Sequence, residues 1–177
     1  MKIFIDCGFY SGGALRHYID AGIVDDTWVV YAFEPNPDIE TKEQIKQYPV
    51  KIQLYNKAVW TKNTTLDFHI SGRNDAAGVK DLTGHTDPKE VQVKAINFSK
   101  FVSDLPEAYI ICSMDIEGAE YRVLEKMLTD GSIKRINILD IEFHHRLMIE
   151  ANQEDSQKLI DRILHEGTAI KLKVQLQ

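Results

Sequence analysis

Four acidic residues stand where apolar stretches of the sequence end, and these residues are Asp6, Glu34, Asp115 and Glu142. A carboxylate at the end of a buried strand loses hydration, which costs free energy unless something binds it. In open α/β sheets, ligands bind outside the carboxyl ends of the strands. The repeated placement of acids at strand ends therefore predicts a ligand-binding site along one edge of a sheet.

A short glycine-containing segment follows the first of these acids. Asp6 begins the pattern D-x-G-x-x-x-G, in which Gly8 and Gly12 permit a sharp turn and the close approach of a ligand to the backbone. The apolar residues 3–5 indicate a buried strand, and an amphipathic helix is expected from Gly13 onward. The spacing differs from that of dinucleotide and triphosphate sites. The segment favours a nucleotide-type binding turn, with a plain strand-to-helix turn as the alternative.

Glu34 lies at the end of the second predicted strand, residues 28–33, and is followed by Pro35, Asn36 and Pro37. The two prolines prevent a strand or a helix from continuing there. A nucleoside-binding fold places an acid at this position to accept both hydroxyl groups of a ribose. The sequence therefore predicts that Glu34 binds a ribose, with a helix-capping or loop-bonded carboxylate as the alternative.

The composition is that of one globular domain. The chain has 177 residues, of which 44% are hydrophobic, and its apolar stretches alternate between strand and helix patterns. That alternation predicts an α/β fold with a mostly parallel, twisted sheet and helices on both faces. A net charge of -6 argues against nucleic acid as a partner. No apolar stretch approaches the ~20 residues that span a bilayer, and the chain enters a strand at once, so a cytoplasmic location is expected.

The middle of the chain departs from this alternation. Residues 64–70 and 90–96 alternate polar and apolar side chains, which predicts an added β-hairpin. Residues 71–88 between them are mostly small or polar, and long loops in compact domains often act as lids. We expect this loop to cover the acceptor with polar groups suited to a sugar, and an ordinary solvated loop is the alternative. The side chains concerned are those of Arg73, Asn74, Asp75 and His85.

Five motifs occur in an order that resembles one known family. They are D-C-G-F-Y-S-G at 6–12, F-E-P-N-P at 33–37, N-K-A-V-W at 56–60, D-I-E-G-A-E at 115–120 and D-I-E-F-H at 140–144. Together they resemble the FkbM-type methyltransferases, which are S-adenosylmethionine-dependent enzymes with the Rossmann-like class I methyltransferase fold. Members typically methylate oxygen in sugars or polyketide-type natural products. The resemblance therefore implies an O-methyltransferase whose acceptor is a hydroxyl group of a sugar or glycan.

The resemblance covers nearly the whole chain and implies one methyltransferase domain over residues 1–177. The class I sheet usually ends in a β-hairpin, whereas this sequence has one predicted strand, 170–176, after its last helix. Either the domain is cut from a larger protein or lacks its last strand, or the added hairpin at 66–96 compensates for the lost edge. An excised domain would be compatible with fusion to other glycan-processing domains.

The resemblance also implies which residues hold the cofactor. Asp6 and the loop glycines would lie under its methionine part, Glu34 would bind the ribose, and residues 35–36 and 56–59 would line the adenosine. Asp115 would lie near the sulfonium, whose positive charge a buried acid offsets. The bulky pair Phe9 and Tyr10 either covers the cofactor or packs on the first helix. The full expected set is Asp6, Gly8, Phe9, Tyr10, Ser11, Gly12, Glu34, Pro35, Asn36, Asn56, Ala58, Val59 and Asp115.

Methyl transfer to a sugar hydroxyl needs a base, or a metal that lowers the pKa of the hydroxyl. The candidates are Asp115, Glu117, Glu142, His144 and His145, of which His145 is expected to be an ordinary surface histidine. Glu142 and His144 share one face of an extended segment and, with Asp115, would form a site for Mg²⁺, Ca²⁺ or Mn²⁺. Alternatively, His144 alone is the base, because histidine has the unperturbed pKa nearest neutrality. Glu117 has a structural alternative as a helix N-terminal acid, and Glu120 is expected to be an ordinary first-turn acid.

Two functions from other classes are compatible with parts of the sequence. A nicotinamide-dependent oxidoreductase also needs a glycine loop and a ribose-binding acid, but this loop lacks the three-glycine fingerprint. A non-catalytic methyltransferase-like module would keep the fold without the chemistry, but unused buried carboxylates are costly. Binding of S-adenosylhomocysteine or of NADH distinguishes these possibilities.

Overall fold

The computed structural model describes residues 1–39, 41–70, 77–80, 82, 89–144 and 152–172. The strands of this part are β1 Lys2–Cys7, β2 Val29–Phe33, β3 Ile52–Tyr55, β4 Ala58–Trp60, β5 Thr64–Ile70, β6 Ala77–Val79, β7 Lys89–Asn97, β8 Tyr109–Met114, β9 Ile138–Ile141 and β10 Ala169–Leu172. The helices are α1 Gly13–Asp20, α2 Thr41–Gln44, α3 Phe98–Asp104, α4 Glu120–Asp130 and α5 Gln153–His165, with short 3₁₀ turns at Ile45–Gln47 and Ser132–Arg135. Within these described ranges, no helix combines the length and the apolar character that a membrane crossing requires.

The first sheet is parallel and has the strand order β10-β9-β8-β1-β2-β3. The chain adds β2 and β3 on one side of β1, and then places β8, β9 and β10 on the other side. The order reverses between β1 and β8, and such a switch point opens a crevice at the carboxyl ends of the strands. The predicted mostly parallel α/β sheet is confirmed, and its central strands β1 and β8 are buried apolar runs as expected.

Helices cover both faces of this sheet. On one face, α3, α4 and α5 pack against a core that includes Ile3 and Ile5 of β1. On the other face, α1 places Leu15 and Tyr18 against Phe4. Successive side chains of β1 therefore belong to opposite cores, as the period of a strand requires. The apolar interiors of the strands pack against the helices on both faces, and polar groups lie at the strand ends.

A second sheet has the strand order β4-β7-β5-β6. β5 and β7 pair antiparallel along their length, which confirms the predicted pairing of the two alternating segments. β4 joins β7 in parallel and β6 joins β5 antiparallel, so the added unit is larger than a hairpin. An apolar cluster that includes Trp60, Phe68 and Ala119 joins this sheet to the segment just before α4.

The apolar pattern of residues 51–60 predicts a single third strand, and the structure forms two strands there instead. β3 belongs to the first sheet and β4 to the second, and the N–H of Lys57 donates a 2.8 Å hydrogen bond to the carbonyl of Tyr55 in the turn between them. The prediction was wrong because an apolar pattern does not show where a chain leaves one sheet for another. Among the described residues, the added strands pair with neither edge of the first sheet, β10 or β3, so they do not extend it.

Candidate active site

A cavity opens at the switch point, where β1, β2 and β8 end, and the second sheet forms its opposite wall. Eight of the residues expected to bind the cofactor line it: Gly8, Tyr10, Glu34, Pro35, Asn36, Ala58, Val59 and Asp115. Glu117, expected as a catalytic residue, also lines it. Apolar side chains that the sequence did not single out complete the wall: Phe33, Ile39, Phe68, Ala77, Val79, Ile116 and Ala119.

Glu34 is a buried carboxylate at the wall of this cavity. Its Oε2 accepts a hydrogen bond from the N–H of Tyr10, and its Oε1 accepts one from the N–H of Asn36, both at 2.8 Å. Burial raises the pKa of Glu34, while these two N–H groups act to lower it. A carboxylate offers about four acceptor positions, so the side chain is fixed in place with capacity left for a ligand.

Gly8 lets the loop after β1 pass against the end of β8. Its backbone has a φ of 83°, and a Cβ at this position would collide with the carbonyl oxygen of Asp115. The N–H groups of Gly8 and Phe9 both donate to the carbonyl of Phe33 at 3.0 Å. The loop is therefore held between the ends of β2 and β8, in a conformation that favours glycine.

Phe9 and Tyr10 have different surroundings. Phe9 is buried, and its ring lies edge-on to that of Tyr48 with the ring centroids 5.9 Å apart. Tyr10 is 43% exposed, lines the cavity, and has a φ of 42°, which is uncommon for a residue with a side chain. The sequence left both placements open for the pair. Phe9 belongs to the apolar core that contains Leu15 of α1, and contact of Tyr10 with the cofactor stays a prediction.

Five of the expected cofactor residues lie outside the described wall of the cavity: Asp6, Phe9, Ser11, Gly12 and Asn56. Asp6 is buried in β1, on the same face of the sheet as Phe4. Gly12 lies against the rings of Phe9 and Tyr48, and Asn56 lines a neighbouring groove. For these five residues, as for the eight that line the cavity, contact with the cofactor stays a prediction.

His144 lies among carboxylates at the ends of β8 and β9. Its Nε2 atom is 3.5 Å from Asp115 Oδ1, 3.8 Å from Glu117 Oε2 and 3.7 Å from Glu142 Oε1. Its Nδ1 atom is 3.0 Å from Glu120 Oε1. The structure thus brings together the four residues expected to take part in catalysis, and it adds Glu120. His145 lies outside the described residues.

The expectation that Glu120 is an ordinary first-turn acid is wrong. Its side chain is 0% exposed, and its two oxygens accept hydrogen bonds from the N–H groups of Ile116 and Gly118, each at 2.8 Å. An acid that only complements a helix dipole lies at the surface. The one sequence signal for Glu120 was its place in the same D-I-E-G-A-E motif as Asp115, and that spacing does not reveal burial.

Burial and charge shift two pKa values in this group. Burial alone would lower the pKa of His144, but its hydrogen bond to Glu120 and the nearby negative charges raise the pKa to about 9. Burial raises the pKa of Glu117 to about 7, against the opposing positive charge of His144. Near neutral pH, His144 is therefore protonated, and Glu117 is the group that gains or loses a proton. This differs from the expectation that His144 is the base because its pKa is nearest neutrality.

Glu117 is also unusual in its backbone. Its φ is 53°, a left-handed value that is uncommon for a residue with a side chain. Such conformations cost on the order of 1–3 kcal/mol, and they cluster at active sites. Because Glu117 lines the cavity, its conformation places a carboxyl group of shifted pKa where a ligand would bind.

The same group contains donors suited to a divalent cation. Asp115, Glu117 and His144 each present a ligand atom, and these atoms lie within 4.8 Å of one another. The expected set had Glu142 in place of Glu117. Carboxylate and imidazole donors fit Mg²⁺, Ca²⁺ or Mn²⁺, but imidazole binds a metal only in its neutral form. The raised pKa of His144 therefore opposes a cation here.

The acceptor lid expected over residues 71–88 lies mostly outside the described residues, and Arg73, Asn74, Asp75 and His85 all do. Of the described part, Ala77 and Val79 line the cavity. This part contributes apolar groups to the wall, and contact of the predicted polar groups with an acceptor stays a prediction.

One comparison with known proteins agrees with this architecture, and it is the comparison with protein families. The chain has no significant match among curated proteins or among solved structures. The family model described as Methyltransferase FkbM domain matches residues 6–168. The matched range contains all the residues that line the cavity as well as His144 and Glu120. The chain therefore belongs to the FkbM family of methyltransferases.

Proposed function

We propose that this chain is an S-adenosylmethionine-dependent O-methyltransferase that acts on a hydroxyl group of a sugar or glycan. The observation that carries the proposal is the buried carboxylate of Glu34, held by two backbone N–H groups at the wall of the cavity. In a methyltransferase with this sheet, such a carboxylate is suited to accept the hydroxyl groups of the cofactor's ribose.

Other groups at the cavity wall fit this cofactor as well. The Nδ2 atom of Asn36 is buried without a hydrogen-bond partner among the described residues, so it has a donor to offer to a ligand. Ala58 and Val59 would provide apolar contact for the adenine, and the backbone at Gly8 would lie at the cavity wall beside the cofactor. When bound, S-adenosylmethionine supplies a methyl group on a positively charged sulfur, whose charge Asp115 would offset.

We assign the general base to Glu117 rather than to His144. Glu117 lines the cavity, while the side chain of His144 is only 5% exposed. A base acts best when its pKa lies near the working pH, and the pKa is about 7 for Glu117 and about 9 for His144. Glu117 would take the proton of the acceptor oxygen as that oxygen bonds to the methyl carbon. The bond from this carbon to sulfur would break at the same time, with S-adenosylhomocysteine as the leaving group, and protonated His144 would help to keep Glu117 ionised beforehand.

The polar end of the cavity is suited to a neutral acceptor rich in hydroxyl groups. The carboxylates of Asp115 and Glu117 line this end, and that of Glu142 lies near them beside Nε2 of His144. Ionised carboxylates only accept hydrogen bonds, which hydroxyl groups can donate. The same carboxylates would repel a phosphorylated or carboxylated acceptor. A neutral sugar therefore fits this end better than an anionic one.

A divalent cation is a separate hypothesis for the same residues. Asp115, Glu117 and His144 would hold it, and the cation would lower the pKa of the acceptor hydroxyl in place of a base. The two versions differ in one measurement. Turnover that survives exhaustive treatment with EDTA supports the base, whereas turnover that is lost and then restored by Mg²⁺ or Mn²⁺ supports the cation.

Calorimetric titration with S-adenosylhomocysteine, the expected product, tests the proposal. We expect binding in the micromolar range for the unchanged chain and much weaker binding for Glu34→Ala. Glu107→Ala is a matched control, because the side chain of Glu107 is 94% exposed and precedes β8, at the opposite end of that strand from Asp115. This control should bind like the unchanged chain.

The competing functions give different results in the same experiment. Binding of NADH but not of S-adenosylhomocysteine would favour a nicotinamide-dependent oxidoreductase. Binding of neither compound would favour a non-catalytic module. Binding of S-adenosylhomocysteine followed by transfer of a labelled methyl group to a panel of sugars would then identify the acceptor.

A further inference from the structure

The side chain of Glu120 connects two parts of the site. It is the first residue of α4 and is completely buried, and its oxygens meet three nitrogen atoms: those of the Ile116 and Gly118 backbone and Nδ1 of His144. We propose that Glu120 is a positioning residue, which fixes the tautomer and orientation of His144 and the shape of the turn that carries Glu117. This inference rests on the proposed function, because it treats Glu117 as the base.

The hydrogen bonds of Glu120 decide which ring nitrogen of His144 carries the proton when the ring is neutral. Oε1 of Glu120 accepts from the N–H of Ile116, and Oε2 accepts from the N–H of Gly118. Both oxygens of this carboxylate are thus used as acceptors toward nitrogen, and the third nitrogen in contact with it meets the same acceptor oxygen, Oε1. The 3.0 Å contact with His144 is therefore a hydrogen bond from Nδ1–H to Oε1.

With Nδ1 bonded to Glu120, Nε2 is the nitrogen of His144 that faces the other three carboxylates. Nε2 lies between 3.5 and 3.8 Å from one oxygen each of Asp115, Glu117 and Glu142. At these distances it makes no strong hydrogen bond, and it acts on the three carboxylates mainly through charge. Turning the ring over would lose the Glu120 contact, so Glu120 holds Nε2 toward Glu117.

The same carboxylate also holds the turn in which Glu117 lies. Its two backbone donors, Ile116 and Gly118, are the residues directly before and after Glu117. The left-handed backbone at Glu117, with a φ of 53°, therefore has one hydrogen bond on each side of it to the same side chain. Because that conformation is unfavourable by itself, the two bonds give a reason for its persistence.

The test compares Glu120→Gln with the unchanged chain by ¹⁵N NMR of the histidine rings in alkaline buffer containing EDTA, where the rings are neutral. The His144→Gln variant identifies the signal by its disappearance. We expect Nδ1–H in the unchanged chain. In Glu120→Gln, the new amide N–H₂ group should donate to Nδ1 and leave the proton on Nε2.

Turnover and cofactor binding should separate in the same variant. We expect kcat of Glu120→Gln to fall by about 100-fold or more, as when a base loses its orienting partner. The affinity for S-adenosylhomocysteine should change less than about threefold, because Glu120 does not line the cavity. Glu125→Gln is the matched control: it lies on the same helix, is 51% exposed, and should change neither quantity.

The outcomes distinguish this inference from the proposed function. An Nε2–H tautomer in the unchanged chain would overturn the role of Glu120, even if Glu120→Gln did not fold. An unchanged kcat in a folded Glu120→Gln would overturn it as well. Failure of the unchanged chain to bind S-adenosylhomocysteine would instead overturn the proposed function, and the tautomer measured by NMR would still stand.

Discussion

The backbone N–H of Tyr10 donates a 2.8 Å hydrogen bond to Oε2 of Glu34, and this bond ties the loop after β1 to the end of β2. The two strands are neighbours in the sheet, so the bond joins two segments of the cavity wall. The other oxygen of Glu34 accepts from the N–H of Asn36. One carboxylate therefore sets the positions of both backbone segments around the expected ribose site.

This arrangement predicts different effects of Glu34→Gln on binding and on folding. The amide keeps one acceptor oxygen but places an N–H₂ group against a backbone N–H, which costs about 1–3 kcal/mol. Loss of the ribose contact should weaken S-adenosylhomocysteine binding by about 10- to 100-fold. Burial raises the pKa of Glu34, which means that its charge is unfavourable in the folded state, so removing it offsets part of the folding cost.

Calorimetric titration and urea unfolding of the same samples measure these two effects. We expect the loss of binding free energy to exceed the loss of folding free energy in the absence of ligand. Equal losses would mean that Glu34 only supports the fold, and they would contradict its role as a ligand contact.

A pair of glycine substitutions tests the close approach of the loop to β8. Gly8 and Gly22 both have left-handed backbones, with φ values of 83° and 68°. A Cβ at Gly8 would collide with the carbonyl of Asp115, whereas a Cβ at Gly22 would meet no atom of the described chain within 4 Å. We therefore expect Gly8→Ala to cost more than about 3 kcal/mol of folding free energy and Gly22→Ala only about 1 kcal/mol.

Urea unfolding of the two variants and the unchanged chain gives the comparison. The Gly22 variant measures the cost of the left-handed conformation alone, so the difference between the variants reports the collision at Gly8. Similar costs would show that the loop can move away from Asp115, and that Gly8 is required only for its conformation.

Much of this fold could be predicted from local patterns, because buried parallel strands leave a direct signal. The apolar runs of β1, β2 and β8 predicted the sheet, and acids at the ends of these runs predicted the edge where the cavity opens. Turn chemistry was equally direct at Gly8, where the backbone requires a left-handed conformation.

What could not be predicted depends on contacts between distant parts of the chain. The break between β3 and β4 is decided by pairing with β2 and β7, which local sequence does not reveal. The role of Glu120 depends on the approach of His144 from another strand end. The assignment of the base changed for the same reason, since the pKa of Glu117 depends on burial and on charges that folding brings together.

The pH dependence of turnover tests the assignment of Glu117. A base must be ionised, so kcat/KM should rise with pH and level off above the pKa of Glu117, which is about 7. His144 loses its positive charge above a pH of about 9, but Glu117 is already ionised there, so this loss should not lower kcat/KM through the base. Because the two groups interact, the midpoints of the profile belong to the pair.

Variants test whether Glu117 causes this rise. Glu117→Gln should lower kcat/KM by about 100-fold or more and abolish the rise near neutral pH, with little change in S-adenosylhomocysteine affinity. Asp67→Asn, a change in a carboxylate of β5 that does not line the cavity, should keep the full profile. A rise near neutral pH that persists in Glu117→Gln would assign the base to another residue.

The pKa of His144 also predicts how the stability of the fold depends on pH. The value is about 9 in the folded chain and 6.5 for an ordinary histidine, so the folded state holds this proton more tightly. The resulting stabilisation is fully present below a pH of 6.5 and is lost as the pH rises through 9. Its size is on the order of 3 kcal/mol, at 1.36 kcal/mol for each pKa unit.

Urea unfolding at about pH 6 and about pH 10 should therefore show a larger fall in stability for the unchanged chain than for His144→Gln, which has no proton to lose there. The variant should be less stable at the lower pH, because the hydrogen bond and the charge opposite Glu120 are gone. His17→Gln is the control, since His17 is exposed on α1 and its substitution should leave the pH dependence unchanged. The same fall in the unchanged chain and in His144→Gln would show that His144 does not hold its proton in the folded state, and it would remove the charge on which the ionisation of Glu117 depends.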